Sequence, residues 1–232
     1  MDPNSVRQQW AERSGEYSPD YYAYYGPNET SELIRARLDA AVAPDASILE
    51  LGCSSGRHLA HLHEAGYENL HGIEINDEAL SVMEDTYPTL AEEGTFHIDS
   101  IENTAPEFDD GRFDVVFSVE TLQHLHPDDE WVFDELARIT DDRLITVENE
   151  GGNEEEDEEG RGESETERRG EEPDETGEAG GAEVTVETNV NYVRGEFPLY
   201  YRNWNRIFTE RGFVEIDSEP LDRDTLRVFR PN

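Results

Sequence analysis

The sequence contains no lysine, and this absence accompanies a large excess of acidic residues. All 18 basic residues are arginine, against 57 aspartate and glutamate residues, which gives a formal net charge of −39. Nucleic acids are bound largely through protein cations, so the composition disfavours DNA or RNA as a partner. In molar salt the Debye length is about 3 Å, and dense carboxylates favour solubility while their repulsion is screened. We therefore interpret the acidity as adaptation to a cytoplasm of high salt concentration.

Cysteine and long apolar runs are also scarce. The single cysteine, Cys53, excludes an internal disulfide, which is consistent with a reducing cytoplasm. No apolar run approaches the roughly 20 residues that cross a bilayer, and no signal peptide is visible. We expect a cytoplasmic protein without a membrane partner. The 232 residues suffice for one α/β domain with a substantial core.

The most informative stretch runs from Ser47 to Arg57. An apolar run ends in a carboxylate, Gly52 and Gly56 bracket a tight turn, and a helix-like stretch follows. Such a turn lets a ligand approach the backbone and the free N–H groups of a helix start. A P-loop is excluded because it requires lysine, and a dinucleotide-binding G-x-G-x-x-G is not satisfied because Ser54 stands at its second glycine.

The pattern Glu50-x-Gly52-x-x-x-Gly56 resembles the first motif of the class I S-adenosylmethionine (SAM) dependent methyltransferases. The resemblance implies an α/β fold, namely a Rossmann-like three-layer sandwich around a seven-stranded, mostly parallel sheet with an antiparallel last strand. It implies SAM as the cofactor, with Glu50 at its amino end. The backbone from Gly52 to Gly56, with Cys53 and Ser54, would face the methionine part. We expect Cys53 to offer its backbone N–H rather than its thiol.

Two further strand ends extend the resemblance. Glu74 ends an apolar run 22 residues after Gly52, and an acidic residue at about this spacing accepts hydrogen bonds from ribose hydroxyls in nucleotide-binding α/β units. Ile75 follows it in the expected cofactor site. After a third short strand, the resemblance implies that Asp99 accepts from the adenine amino group and that the Ser100 backbone reaches a ring nitrogen.

The segment from Phe113 to Leu125 resembles the family's fourth motif, a strand followed by a turn and a Leu-x-His-Leu helix start. The resemblance implies that Ser118 lies at the cofactor and that Glu120 and His124 lie where substrate arrives. Histidine titrates near neutrality, so His124 is a candidate base for an attacking hydroxyl. The alternative is a histidine that only fixes the loop.

The chain divides by composition. Residues 1–29 form an aromatic arm or lid with Trp10 and five of the ten tyrosines, or else an arm that simply packs on the domain. Residues 30–150 and 182–232 form the expected methyltransferase domain. Residues 151–181 are an acidic insert without aromatic or branched aliphatic side chains, which we expect to be solvated and mobile, with a strand resuming at Val184.

Histidine, arginine and tyrosine form two further candidate groups. His58, His61 and His63 do not share one helix face, so we predict no metal site. A segment before the last helix could clamp an anionic group on the substrate or form surface ion pairs, through Tyr192, Arg194, Tyr200, Tyr201 and Arg202.

Other functions stay open. Gly52 to Gly56 also satisfies G-x-S-x-G, the nucleophile elbow of α/β-hydrolases, which would make Ser54 the nucleophile of an esterase. A non-catalytic SAM-binding protein is another alternative. For a methyltransferase we expect a small-molecule acceptor, with oxygen, nitrogen and carbon nucleophiles all open. The oligomeric state is not readable from the sequence.

Overall fold

The computed structural model describes residues 2–151, 190–193 and 197–232. The predicted acidic insert, apart from Gly151, lies outside the described residues. So do the strand expected at Val184 and the candidate anion-binding Arg194.

A seven-stranded sheet organises the domain. In chain order the described strands are β1 (Ser47–Leu51), β2 (Asn69–Glu74), β3 (Thr95–Ile98), β4 (Phe113–Val119), β5 (Thr140–Glu148), β6 (Val190–Val193), β7 (Phe197–Tyr200), β8 (Phe213–Pro220) and β9 (Thr225–Pro231). The sheet order is β3-β2-β1-β4-β5-β9-β8. The first five strands pair in parallel, and β9 pairs antiparallel with both β5 and β8. The expected sheet with an antiparallel last strand is confirmed.

Helices cover both faces of this sheet. They are α1 (Pro3–Ala11), α2 (Pro19–Tyr25), α3 (Glu29–Asp39), α4 (Arg57–Glu64), α5 (Glu78–Thr86), α6 (Pro88–Glu93), α7 (Ile101–Thr104), α8 (Val132–Ile139) and α9 (Trp204–Thr209). Short 3-10 turns occupy Ala105–Glu107, Leu122–His124 and Pro127–Asp129. Among the described residues, no helix is both long enough and apolar enough to span a bilayer.

Alternation along the strands builds a separate core on each face. On β1, Leu49 packs with the cluster that includes α8 and α9, whereas Ile48 packs with the cluster of α3, α4 and α5. Val115 and Val116 on β4 divide in the same way. Because successive side chains of a strand point to opposite faces, these continuous apolar runs require helices on both sides, which gives the three-layer sandwich.

Local sequence explains where the N-terminal helices begin. Asp2 and Ser18 cap α1 and α2 through their side chains, and proline occupies the first turn of each helix. Asn28 and Ser31 form a reciprocal capping box at the start of α3. These residues satisfy N–H groups that a helix start otherwise leaves unpaired. The predicted arm is therefore folded as two helices.

The hairpin of β6 and β7 was not expected from the sequence. Its strands pair antiparallel, with Val190 opposite Tyr200 and Tyr192 opposite Pro198. Proline removes a backbone donor and interrupts a strand pattern, so Pro198 conceals β7 in the sequence. The hairpin lies beside α1, since the rings of Phe197 and Trp10 are 4.6 Å apart. It therefore forms part of the wall of the cavity described next.

Candidate functional site

A cavity of about 590 Å³ lies beyond the carboxyl ends of the parallel strands. The ends of β1 and β2 and the loops after β3 and β4 line it, and α1, α2 and the hairpin close it from the other side. This is the edge where open α/β sheets bind ligands. Most of the candidate residues line it, namely Glu50, Gly52, Cys53, Ser54, Glu74, Ile75, Asp99, Ser100, Glu120 and His124.

Two of the candidates, Gly56 and Ser118, do not line the cavity. A Cβ on Gly56 would lie 2.8 Å from Met83 Cε and 3.0 Å from Leu90 Cδ2, so the glycine permits close packing of α4 on its neighbours. Ser118 is buried and its Oγ donates to Glu148 Oε1 at 2.5 Å. The structure thus gives each of these residues a packing or hydrogen-bonding partner inside the protein.

Glu50 presents a buried carboxylate with an unused oxygen. Its side chain is 1% exposed, and within the described part of the chain Oε2 has no hydrogen-bond partner. Burial raises the pKa of Glu50 well above its ordinary value, and the positive charge of Arg57 counteracts part of this rise. A buried polar atom without a partner costs folding free energy unless a ligand satisfies it. Among the residues that line the cavity, Glu50 is therefore the acceptor best suited to bind a donor group of a ligand.

Glu74 anchors the turn that follows β1. Its Oε2 accepts from the Ser54 backbone N–H at 2.8 Å, and its Oε1 accepts from the Asn76 N–H at 2.8 Å. Burial raises the pKa of Glu74, while these backbone donors counteract the rise. Each carboxylate oxygen can accept a second hydrogen bond. Glu74 thus holds the two strand ends together and keeps acceptor capacity toward the cavity.

The backbone of the glycine turn is largely engaged within the protein. Gly52 and Cys53 both donate their N–H groups to Ile73 O, at 2.9 and 3.1 Å, and Gly56 donates to Cys53 O at 2.8 Å. The Cys53 backbone N–H, which was expected to face a ligand, is thus bound to Ile73 O of β2 in this structure. Its thiol is a poor nucleophile, since burial raises the pKa of Cys53 well above its ordinary value.

The close approach of the loop after β4 requires a residue without a side chain at Gly52. Its φ is +67°, and a Cβ there would lie 2.4 Å from Thr121 Oγ1. The glycine therefore lets the turn and this loop approach each other. The sequence indicated a close approach at this position by a ligand, and the structure adds a close protein neighbour, Thr121.

Asp99 and Ser100 follow β3 and begin α7. Asp99 Oδ1 accepts from the Ser100 N–H at 2.6 Å and from Asn103 Nδ2 at 2.8 Å. Ser100 Oγ accepts from the Asn103 N–H and caps the helix. The Ser100 backbone donor that the sequence assigned to a ring nitrogen is thus already bound to Asp99. Asp99 is exposed and lines the cavity, and its Oδ2 is the remaining acceptor.

Glu148 holds the loop after β4. It is fully buried, its Oε1 accepts from Ser118 Oγ and from the N–H groups of Thr121 and Leu122, and its Oε2 accepts from the Gln123 N–H. Burial raises the pKa of Glu148 to about 7 although these donors favour the carboxylate. These hydrogen bonds show that Glu148 shapes the loop carrying His124.

His124 faces the cavity in a defined tautomer. Its Nδ1 lies 3.1 Å from Pro198 O, and because a carbonyl only accepts, Nδ1 carries the proton. Burial lowers the pKa of His124 to about 4. The imidazole is therefore neutral at pH 7, with the lone pair on Nε2. The Trp10 ring packs 4.5 Å from it, centre to centre.

Glu120 lies in a strained loop beside a second carboxyl group. Its φ is +49°, and Ser54 and Tyr17 share the left-handed conformation. All three line the cavity, and such backbone occurs preferentially at functional sites. Asp224, between β8 and β9, also lines the cavity, and burial together with the charge of Glu120 raises its pKa. No local motif marks Asp224, so the sequence missed it.

The N-terminal arm closes the cavity through charged and aromatic contacts. Arg7 forms ion pairs of 2.9 Å with Glu102 and Asp129, and Asn76 Nδ2 donates to Arg13 O at 2.9 Å. Of the candidate anion clamp, Tyr192 and Tyr201 line the cavity. Arg202 is buried instead, and it donates to Leu125 O at 2.7 Å, which makes it a support of the loop rather than a substrate contact.

The histidines of α4 have protein partners. His58 is buried with its Nδ1 2.8 Å from Ser31 Oγ, while His61 and His63 contact Arg35 and Glu93. Among the residues that the structure describes, no cluster of His, Cys, Asp and Glu is arranged to hold a metal ion.

Comparison with known proteins finds a family model that matches part of this chain. Residues 48–142 match the family model of a methyltransferase domain. The matched segment begins in β1 and ends in β5, and it contains the cavity-lining turn, Glu74, Asp99 and the loop of His124.

A curated relative and several solved structures are also similar. An O-methyltransferase of Pyrenophora dematioidea is 24% identical over 119 residues, which are 49% of this chain and 44% of that protein. This chain therefore spans less than half the length of the curated relative. Magnesium protoporphyrin IX methyltransferase of Synechocystis PCC 6803, with bound SAH, is 15% identical over the whole of both chains with a TM-score of 0.61. The PH0226 protein of Pyrococcus horikoshii is 13% identical over the whole of both chains, with a TM-score of 0.59. The structural likeness shows a shared fold. Neither the fold nor the comparisons support the esterase interpretation of Ser54.

Proposed function

We propose that this chain is a SAM-dependent methyltransferase that acts on a small-molecule acceptor. The observation that carries the proposal is the unpartnered Oε2 of Glu50, buried on the wall of a 590 Å³ cavity within the segment that matches the methyltransferase family. The ammonium group of SAM would supply the missing donor. The residues present therefore fit this cofactor.

The cavity wall offers acceptors for the rest of the cofactor. Glu74 would accept from the ribose hydroxyls with its remaining lone pairs, and Asp99 Oδ2 would accept from the adenine amino group. Ser100 and Ile75 would line the nucleoside part. The turn from Gly52 to Ser54 would contact the methionine part through its surface, because its N–H groups at Gly52, Cys53 and Ser54 are already bound.

When bound, SAM supplies an electrophilic methyl group on a sulfonium. The protein then mainly has to position a nucleophile, exclude water and accept a proton. His124 is the proposed base, because its Nδ1–H is fixed on Pro198 O and Nε2 is unprotonated at pH 7. Glu120 would stand beside it as the second candidate. The arm of residues 1–29, proposed as a lid, would exclude water through Trp10 and the tyrosines.

The first experiment is calorimetric titration with SAM and, in parallel, S-adenosylhomocysteine, in molar KCl. We expect saturable binding of both ligands at one site. Acceptors are then screened by transfer of a labelled methyl group. A folded sample that binds neither ligand would refute the proposal, and binding without transfer to any acceptor would favour a non-catalytic SAM-binding protein.

We further propose that the net charge of −39 is an adaptation to high salt. Like charges destabilise the compact state, and salt screens them. The midpoint of thermal unfolding should therefore rise between about 0.1 and 2 M KCl. A midpoint that stays constant or falls over this range would contradict salt adaptation.

A further inference from the structure

Arg57 is a cation on the cavity wall that has no ion pair in the described part of the chain. It is the first residue of α4, directly after the glycine turn. Within residues 2–151, 190–193 and 197–232 its guanidinium makes no hydrogen bond or ion pair, and its Cζ lies 4.6 Å from the ring centre of Tyr22. By contrast, Arg7, Arg138 and Arg227 each pair with two carboxylates. Among the arginines that line the cavity, Arg7 and Arg223 each lie within 4.0 Å of a carboxylate, whereas Arg57 does not within the described residues.

Glu50 is the complementary group. It lies at the end of β1, close enough to Arg57 for the guanidinium charge to act on its carboxyl group. Its Oε2 is buried and has no donor in the described structure. The two groups therefore present opposite charges, one at the end of a strand and the other at the positive end of the next helix.

This pair matches the two charges of one small group. A guanidinium binds a carboxylate through two parallel hydrogen bonds, and a buried carboxylate binds an ammonium through a charge-assisted one. An α-amino acid carries both groups on a single carbon atom. A neutral ligand or a simple anion would satisfy only one member of the pair.

We propose that Arg57 binds the α-carboxylate of the amino-acid part of SAM while Glu50 binds its ammonium group. Tyr22 acts as a positioning residue, because its ring supports the guanidinium plane from the arm side. This inference rests on the proposed function, and it assigns the carboxylate of the cofactor to a residue outside the glycine motif.

Calorimetric titration of the parent, Arg57→Gln and Glu50→Gln with three ligands tests the pairing. S-adenosylhomocysteine carries both charges, decarboxylated SAM lacks the carboxylate, and 5′-methylthioadenosine lacks both. Arg57→Gln should weaken binding of S-adenosylhomocysteine by about 10- to 100-fold and leave binding of the other two ligands within about twofold of the parent. Glu50→Gln should weaken binding of the first two and spare 5′-methylthioadenosine.

Two controls complete the design. Arg206→Gln removes an exposed arginine paired with Glu210 and should bind all three ligands like the parent. Arg57→Lys keeps the charge without the bidentate geometry and should fall between parent and Arg57→Gln. Equal losses for all three ligands in Arg57→Gln, or no loss for S-adenosylhomocysteine, would overturn the inference while the function stands. A parent that binds none of the ligands would overturn the proposed function and this inference with it.

Discussion

Glu50 and Glu148 lie at the carboxyl ends of two strands of the same sheet, within one residue of the last position. Both are almost completely buried, yet their hydrogen-bonding surroundings are opposite. Glu148 accepts hydrogen bonds from one hydroxyl and three backbone N–H groups. Glu50 keeps an oxygen without any partner in the described residues. Burial alone therefore does not distinguish a structural carboxylate from a ligand-binding one. The number of satisfied acceptors, together with a place on the cavity wall, does, because an unpaired buried carboxylate oxygen is costly unless a ligand binds it.

Replacing Glu148 tests the structural half of this comparison and should have the largest effect. Glu148→Ala leaves the Ser118 hydroxyl and the N–H groups of Thr121, Leu122 and Gln123 without their acceptor. We expect a loss of about 3–4 kcal/mol in the free energy of unfolding, measured by urea denaturation. The matched variant Glu50→Ala should change this free energy by no more than about 1 kcal/mol. Equal losses of unfolding free energy in the two variants would contradict the distinction between a structural and a ligand-binding carboxylate.

Gly52 joins the two regions, because it touches Thr121, whose N–H donates to Glu148. In Gly52→Ala the methyl group would lie 2.4 Å from Thr121 Oγ1, at a φ of +67°. The expected destabilisation is about 2–3 kcal/mol from backbone strain and crowding. Gly56→Ala has similar strain but meets the flexible end of Met83, so it should cost about 1–2 kcal/mol. Chemical denaturation of both variants measures the difference, and a larger loss in Gly56→Ala would contradict this account.

Glu50→Gln should change stability and ligand binding in opposite directions. It removes a buried charge that the free protein does not satisfy, so at pH 8 we expect the free energy of unfolding to rise by about 1 kcal/mol. The same substitution should weaken binding of S-adenosylhomocysteine. If the variant instead unfolds more readily than the parent, Glu50 has a structural role like that of Glu148.

The smallest expected effect is the pH dependence of the stability that Glu50→Gln gains over the parent. Burial raises the pKa of Glu50 in the folded state, so the group contributes stability that is complete below its unfolded pKa and is lost as the pH rises through the folded value. Glutamine does not titrate. The advantage of Glu50→Gln over the parent should therefore shrink as the pH falls from about 8 to about 5. Urea denaturation at several pH values measures it, and an advantage that grows toward low pH would refute the assignment.

Local pattern predicted the framework of this site well. The apolar run before Glu50, the glycines of the turn and the spacing to Glu74 placed β1, α4 and β2 close to where they lie. These features are encoded within a few residues, since a strand, a turn and a helix start each have their own composition. The seven-stranded sheet followed from the resemblance and was confirmed by the strand order.

Contacts between residues that are distant in the chain could not be predicted in the same way. The engagement of the Cys53 N–H by Ile73 O depends on how β2 lies against the turn. Gly56 faces Met83, and Glu148 binds a loop 25 to 30 residues earlier in the chain. Two separate C-terminal segments contribute to the site, since Pro198 O binds the ring of His124 and Asp224 lines the cavity. Each depends on three-dimensional packing, which leaves no local signature in the sequence.

The arm over the cavity, proposed as a lid, is held by a few contacts. Trp10 packs between His124 and Phe197, and Arg7 joins α1 to Glu102 and Asp129. If the arm acts as the proposed lid, a ligand beneath α1 would depart only as fast as these contacts separate, and its residence time would reflect the opening of the arm as well as its own affinity. Salt weakens the contacts of Arg7 but leaves the packing of Trp10. Under that proposal, ionic strength would act on the rate of ligand exchange through the ion pairs of Arg7.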